Sequence, residues 1–280
     1  MKILCVGDVM GQPGRAAVIG LIPKLKKDGV MDFVIVNGEN SAGGAGITRR
    51  IARSFFHNGV DVITLGDHTW DQKETEAYLR ESDPVIRPAN FPEDAEVPGA
   101  GFTVREAPGG IKVAVVNLLG RTFMRHLVDC PFRRARKIVE ELKEAADVIV
   151  VDFHAETTSE KVAMGHWLDG KVSVVFGTHT HVQTADEQVM KEGTAYITDL
   201  GMTGPYDSVI GQDKEAILAR FLTSMPRRFA VAKKNVKLCG VVVEVDERTG
   251  RAAAIERVQI PYEVEVQESP AEPPENKKAI

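Results

Sequence analysis

Phe176-Gly177-Thr178-His179-Thr180-His181 follows the apolar run of residues 172–176, and its reading decides the fold. A short apolar run that ends at glycine and opens into polar residues is a buried strand leaving its sheet. Positions i and i+2 of extended backbone share a face, so His179 and His181 are expected to reach one spot beyond the strand end. Neutral imidazoles suit a divalent cation. Alone, a His-x-His pair fits two surface histidines at least as readily. The context changes that balance, because four other strand-like runs also end in acids, an amide or histidine.

Working outward, residues 3–6 form a first strand that enters Gly7-Asp8-Val9-Met10-Gly11-Gln12-Pro13-Gly14, ahead of a helix over 15–27. This turn has neither dinucleotide-binding nor P-loop spacing, and it puts an acid where a phosphate would approach. Residues 33–36 end in Asn37-Gly38-Glu39-Asn40, followed by a glycine-rich stretch and a helix over 48–57. Residues 62–65 end in Gly66-Asp67-His68-Thr69-Trp70-Asp71, with a helix over 72–80 behind them. Such βαβαβ alternation implies a parallel sheet with Asp8, Glu39 and Asp67 at its carboxyl edge, where open α/β sheets carry their sites.

The middle is less regular. Residues 84–98 are proline-rich and suggest a surface excursion; 103–106 and 112–117 suggest strands, the first antiparallel. The helix over 131–145 carries Arg133-Arg134-Ala135-Arg136-Lys137, but Glu140, Glu141 and Glu144 follow at helix-pair spacing, which marks a solvated face. Residues 148–151 are a buried strand ending in Asp152-Phe153-His154-Ala155-Glu156. Helices over 158–167 and 213–223, a short strand over 195–197, a loop over 201–208 and a closing hairpin of 238–246 with 252–260 complete a single domain over residues 1–262. The proline-bearing stretch 263–280 is expected to be a disordered tail.

Of the 280 residues, 43% are hydrophobic and 27% charged, and the net charge is -5. That is the composition of a soluble globule with a proper core, and it speaks against an extended nucleic-acid surface. Cys5, Cys130 and Cys239 are far apart and odd in number, so thiols are expected rather than disulfides. The first residues form a strand and not a secretion signal, and no apolar run approaches the roughly 20 residues of a membrane span. A cytoplasmic protein without a membrane partner is the expectation, and a homo-oligomer is compatible with it.

Set side by side, the strand ends carry Asp8, Glu39-Asn40, Asp67-His68, His154 and His179-x-His181. Carboxylate and imidazole without thiolate favour manganese, iron or zinc. His68 aside, seven donors exceed one coordination sphere, whereas two ions roughly 3.5–4 Å apart would use them.

The ordered motifs GDxxG, GENxxxG, GxHTW, DFHAE and GTHTH resemble the calcineurin-like metallophosphoesterases, and more closely the bacterial YmdB-like cyclic-nucleotide phosphodiesterases. The resemblance extends to about residue 260. It implies an α/β layered sandwich, with central mixed, mostly parallel sheets flanked by helices. It also implies two ions per chain, iron or manganese first and zinc next. Asp8, Glu39, Asn40 and His181 would hold one, and Glu39 would bridge to a second held by Asp67, His154 and His179. By the same resemblance, a bridging hydroxide attacks the phosphorus of a 2′,3′-cyclic or 3′,5′-cyclic nucleotide, and His68 protonates the departing ribose oxygen.

Two departures stand out. The superfamily's Asp-x-His is Asp8-Val9-Met10 here, consistent with Asn40 filling the imidazole's place. Asp67 stands where the family usually has asparagine, and its extra negative charge should weaken a neighbouring Lewis acid and repel phosphate. The alternative is therefore a metal-loaded, nucleotide-binding regulatory module with weak turnover. Trp70 is read as packing, Arg121 as either a phosphate contact or an exposed loop residue, and His57, His126 and His166 as structural. Substrate-contacting residues are not legible.

Overall fold

Alternation along the buried strands builds the molecule. The computed structural model describes residues 1–27, 29–81 and 84–263; the expected tail after residue 263 lies outside them. In chain order the strands are β1 (Lys2–Val6), β2 (Asp8–Val9), β3 (Phe33–Asn37), β4 (Val62–Thr64), β5 (Val85–Ile86), β6 (Phe102–Ala107) and β7 (Ile111–Leu119). They continue as β8 (Val148–His154), β9 (Val174–Thr178), β10 (Gln188–Val189), β11 (Ala195–Ile197), β12 (Met202–Pro205), β13 (Val236–Asp246) and β14 (Arg251–Tyr262). The helices are α1 (Gly11–Lys27), α2 (Arg49–His57), α3 (Thr75–Leu79), α4 (Pro131–Leu142), α5 (Thr158–Leu168) and α6 (Lys214–Thr223).

Two sheets result. One runs β2-β12-β13-β1-β3-β4-β5 with β14 added beside β13, and the other runs β10-β11-β9-β8-β7-β6. Successive strand residues face opposite sides. Ile3, Cys5, Phe33 and Ile35 meet Val113, Val115, Val148, Val150, Val174 and Phe176 in a core between the sheets. Leu4, Val6, Val34 and Val36 point the other way, onto Ala17, Val18 and Ile22 of α1 and onto Ile51 and Phe55 of α2. On the far side, Ala114, Val116 and Val151 pack under Ile138 and Leu142 of α4 and Met164 and Leu168 of α5. The fold is thus α/β, with two mixed, mostly parallel sheets between layers of helix.

Parallel pairing of β1 with β3 and β3 with β4, and of β7 with β8 and β8 with β9, turns the carboxyl ends of these strands toward one edge. Both sheets deliver residues there, so the site stands at the seam.

Four expectations are corrected. Residues 84–98 are no mere excursion: β5 pairs with β4, and Ala89, Asn90 and Phe91 are buried. Asn90 accepts the Leu119 N–H at 2.8 Å and donates to the Leu119 carbonyl at 2.8 Å, which ties this segment to the second sheet. Residues 201–208 are not all loop, since β12 pairs with β2 through Met202 and Thr203 and with β13 through Gly204 and Pro205. Helix α1 starts at Gly11, four residues early, because Pro13 falls in the first turn, where no backbone N–H is needed. The fourth concerns His179 and His181. β9 stops at Thr178, and both histidines take left-handed backbone, with φ of 98° and 65°, so they do not share one strand face.

Candidate metal centre

Every site residue stands at or just beyond a strand end. Asp8 is held on β2 by its pairing with Met202, and Glu39 and Asn40 follow β3. Asp67 and His68 follow β4, His154 ends β8, and His179 and His181 follow β9. Gly66 is required by close approach: a Cβ there would lie 2.3 Å from Glu39 Oε2 and 2.4 Å from His154 Cδ2.

Glu39, Asp67, His154 and His179 bring one donor atom each into a set whose members all lie within 4.8 Å of one another. His154 Nε2 is 3.1 Å from Glu39 Oε1, 3.2 Å from Asp67 Oδ1 and 3.0 Å from His179 Nδ1. The protons on these rings are fixed from behind. Thr178 Oγ1 gives its own proton to Asp152 Oδ1 at 2.7 Å, so at 2.9 Å it accepts from His154 Nδ1–H. Glu156 Oε2 is a carboxylate oxygen 3.1 Å from His179 Nε2, so that nitrogen also carries hydrogen. In their neutral forms, His154 Nε2 and His179 Nδ1 therefore face each other lone pair to lone pair. A shared cation relieves that repulsion, and the donor set fits one.

Asp8, Asn40 and His181 form a second, looser group. His181 Nδ1–H donates to the Ile210 carbonyl at 2.9 Å, which leaves Nε2 turned toward Asn40 Oδ1 at 3.3 Å and Asp8 Oδ1 at 4.0 Å. Asn40 Nδ2 is occupied by the Gly44 carbonyl at 3.1 Å, so its oxygen is the atom offered. Asp8 Oδ2 accepts the His179 N–H at 3.1 Å, while Asp8 Oδ1 is buried without a hydrogen-bond partner among the described residues. An orphaned buried carboxylate oxygen beside two further lone pairs again fits a cation.

The electrostatics agree. Burial lowers the proton affinity of the His154 imidazole, but Glu39, Asp67 and Asp8 outweigh it and hold its pKa well above the ordinary value. Burial raises the Asp67 carboxyl, and His154, His179 and His68 reverse that and hold it far below the carboxylate range. Positive charge is stabilised here. Beneath, burial pushes the Asp152 carboxyl up to about 6, although the neighbouring His154 and the hydroxyls of Thr64 and Thr178 pull the other way.

His68 sits at the rim. Its backbone N–H donates to Glu39 Oε2 at 3.0 Å and its Nδ1 lies 2.7 Å from Asp71 Oδ2. Arg125 bridges this group: its Nε is 3.3 Å from Asp67 Oδ2, and a terminal nitrogen is 2.9 Å from Asp71 Oδ1. His126 Nε2–H donates to the Asp67 carbonyl at 2.8 Å.

The structure thus gathers all eight expected residues, though His179 and His181 serve different groups. Asp71, Arg125, Glu156, Thr178 and Asp199 were missed, and His126, read as structural, lies against Asp67. Asp71 was the most findable, three residues beyond His68. Asp199 holds the histidine turn: its Oδ2 accepts Thr180 N–H at 3.2 Å and Thr180 Oγ1–H at 2.7 Å, and also pairs with buried Lys161 at 2.7 Å. Arg121 N–H donates to Glu160 Oε1 at 3.1 Å and Arg121 does not line the cavity, whereas Trp70 packs edge-on against Phe91. His57 and His166 are exposed and away from the site.

The profile of the YmdB-like protein family matches residues 4–258. The chain belongs to the YmdB-like family. A 2′,3′-cyclic-nucleotide 2′-phosphodiesterase of Bacillus subtilis (strain 168) is 49% identical over 260 residues, covering 93% of this chain and 97% of that one. Among solved structures, a hypothetical protein from Thermus thermophilus superposes with a TM-score of 0.86 at 44% identity, over 93% of this chain and 99% of the other. A phosphatase from Mycoplasma pneumoniae gives 0.86 at 37% identity, over 93% of both chains. As a YmdB-like protein the chain is an enzyme, a hydrolase, and carries a metal-binding cluster. No helix among the described residues is long and apolar enough to cross a membrane.

Proposed function

We propose that the chain is a dinuclear, metal-dependent phosphodiesterase that hydrolyses small cyclic nucleotides, 2′,3′-cyclic species foremost and 3′,5′-cyclic species in addition. The observation that carries this reading is the pair of lone-pair-lined groups opening on one cavity, with the His68–Asp71 pair at its rim. Asp8, Asn40 and His181 would hold one ion, Asp67, His154 and His179 the other, and Glu39 would serve both. Iron or manganese, and after them zinc, suit these oxygen and imidazole donors. When bound, such ions supply Lewis acidity, making a water nucleophilic at neutral pH and neutralising phosphate charge.

The remaining work falls to the chain's own groups. Thr178 and Asp152 keep the His154 Nε2 lone pair turned inward, and Glu156 does the same for His179 Nδ1. His68 donates the proton that the departing ribose oxygen needs. Asp71 accepts Nδ1–H and supports the charged imidazolium, so Nε2–H is the proton passed on. General-acid assistance of this kind contributes about 10²–10⁴-fold.

The competing reading, a nucleotide-binding module with weak turnover, drew on the uncompensated charge of Asp67. Arg125 lies 3.3 Å from that carboxylate, which supports turnover over mere binding. Cys5, Cys130 and Cys239 are unpaired, in keeping with a cytoplasmic setting. The test is hydrolysis of 2′,3′-cyclic AMP and 3′,5′-cyclic AMP by protein reconstituted with manganese or iron, alongside elemental analysis. We expect two ions per chain and turnover that disappears on chelation. One ion per chain would refute the dinuclear reading, and hydrolysis that persists without metal, or none at saturating metal, would refute the activity.

A further inference from the structure

The cavity over the two donor groups has a volume of about 490 Å³ and a lining of mixed chemistry. Glu39, Asn40, His68, His179 and His181 bring carboxylate, amide and imidazole to it, and Met10, Ile210, Gln212 and Phe229 add apolar surface, an aromatic ring and one further amide beside Gly43 and Gly44. A phosphoryl group has use for the first set. The second adds an aromatic ring and an amide that a phosphoryl group does not require. The Arg220 guanidinium lies 5.3 Å from the Phe229 ring centroid. The Gln212 side chain makes no hydrogen bond within the described residues, so its donor and acceptor are both free for a ligand.

This wall is also registered to the metal centre. The Ile210 carbonyl accepts His181 Nδ1–H at 2.9 Å, and Ile210 takes a left-handed φ of 45° to present it. Gln212 pairs with Val209 on one side and with Val231 on the other, which joins the segment carrying Ile210 to the segment carrying Phe229. Gly211 N–H donates to Ser208 Oγ at 2.9 Å, and Ala232 N–H donates to the Gly211 carbonyl at 2.9 Å. The spacing between the donor groups and the aromatic ring is therefore set by the fold.

We propose that Ile210, Gln212 and Phe229 form the subsite for the nucleobase of the substrate, with Phe229 stacking on its face and the Gln212 amide pairing with its edge. This rests on the phosphodiesterase reading for the substrate, but not for the binding. Aromatic stacking accepts any base, whereas an amide that presents N–H donors on one side and a carbonyl acceptor on the other distinguishes base edges. The subsite explains why a nucleotide should be preferred over a base-free ester at the same metal centre.

The experiment uses metal-loaded enzyme and compares 2′,3′-cyclic AMP with methyl p-nitrophenyl phosphate, a diester without a base. Phe229→Ala should raise KM for the cyclic nucleotide about 10-fold, the usual worth of one stacked base. Its kcat and its rate on the base-free diester should hardly change, and Phe229→Tyr should restore KM. Gln212→Ala should raise KM less and shift the ratio between adenine and uracil substrates. Equal losses on both diesters, or an unchanged nucleotide KM in Phe229→Ala, would overturn the subsite.

Calorimetric binding of AMP and of inorganic phosphate separates this proposal from the activity. If the wild type turns over neither diester, the phosphodiesterase reading fails. AMP binding that weakens in Phe229→Ala, with phosphate binding kept, still supports the subsite. AMP held no more tightly than phosphate by the wild type overturns it.

Discussion

The floor of the site and its rim are built by different means. On the floor, Asp8, Glu39 and His154 are almost wholly buried at strand ends, and Thr178, Asp152 and Asn37 stand behind them in a closed hydrogen-bond network. On the rim, His68, Asp71 and Arg125 are partly exposed on loops and hold one another through charge. Burial makes a misaimed donor on the floor costly, because no water replaces the lost partner. Solvent at the rim softens each interaction. The floor should therefore control whether metal is held, and the rim how fast a held metal centre turns over.

Removing a floor imidazole should do most. His154→Ala takes away the nitrogen that touches Glu39, Asp67 and His179, and we expect metal content to fall and turnover to drop to background. Elemental analysis beside an assay checks this; full metal occupancy would erase the distinction between floor and rim. His68→Ala should keep its metal and lose about 10²–10⁴-fold on cyclic nucleotides. A p-nitrophenolate leaving group needs little protonation, so its rate should suffer less. Equal losses on both would assign His68 to phosphate positioning.

The support behind the floor offers a stability test. Lys161 and Asp199 form a buried pair, with side chains 2% and 0% exposed, under the turn that carries both histidines. Lys161→Met strands the Asp199 carboxylate, and denaturant unfolding should register a loss of about 3–5 kcal/mol. A loss below about 1 kcal/mol would mean that the hydrogen bonds from Thr180 and Gly201 suffice for Asp199.

Thr178→Val removes the acceptor of His154 Nδ1–H at nearly constant shape. Metal affinity should fall about 10–100-fold, read by competition with a chelator, with kcat at saturating metal changing less. The smallest effect is expected where floor meets rim. Asp67→Asn deletes one negative charge at constant shape and should raise turnover at saturating metal by a few-fold, a modest gain because Arg125 already compensates that charge. Arg125→Ala in the Asp67 enzyme should slow turnover, and in the Asp67→Asn background it should do less. A fall in activity for Asp67→Asn with metal retained would make the carboxylate itself a working part of the site.

The floor was legible in the chain because its cause is local. Apolar runs such as residues 3–6, 33–36 and 148–151 must be buried, and a polar residue directly after such a run must emerge at the sheet edge. Asp8, Glu39, Asp67, His154 and the His179–His181 pair could be found on that ground alone. The rim had no such pattern. Arg125 reaches Asp67 across 58 residues, and Ile210 reaches His181 across 29, by loops whose course no periodicity encodes.

Backbone direction at the strand ends was equally hidden. The left-handed turns at His179 and His181 depend on Asp199, whose carboxylate arrives from beyond β11 and beside buried Lys161. The segments around β5 and β12 looked like loops because two to four residues are too few for a pattern, and only their pairing partners make them strands. Sequence alone thus determined which polar side chains stand together at the strand ends, since burial of a strand dictates where its neighbours in the chain must go. Tertiary structure decided how those side chains are aimed and charged, because each is held by a partner that only the folded sheets bring within hydrogen-bonding distance.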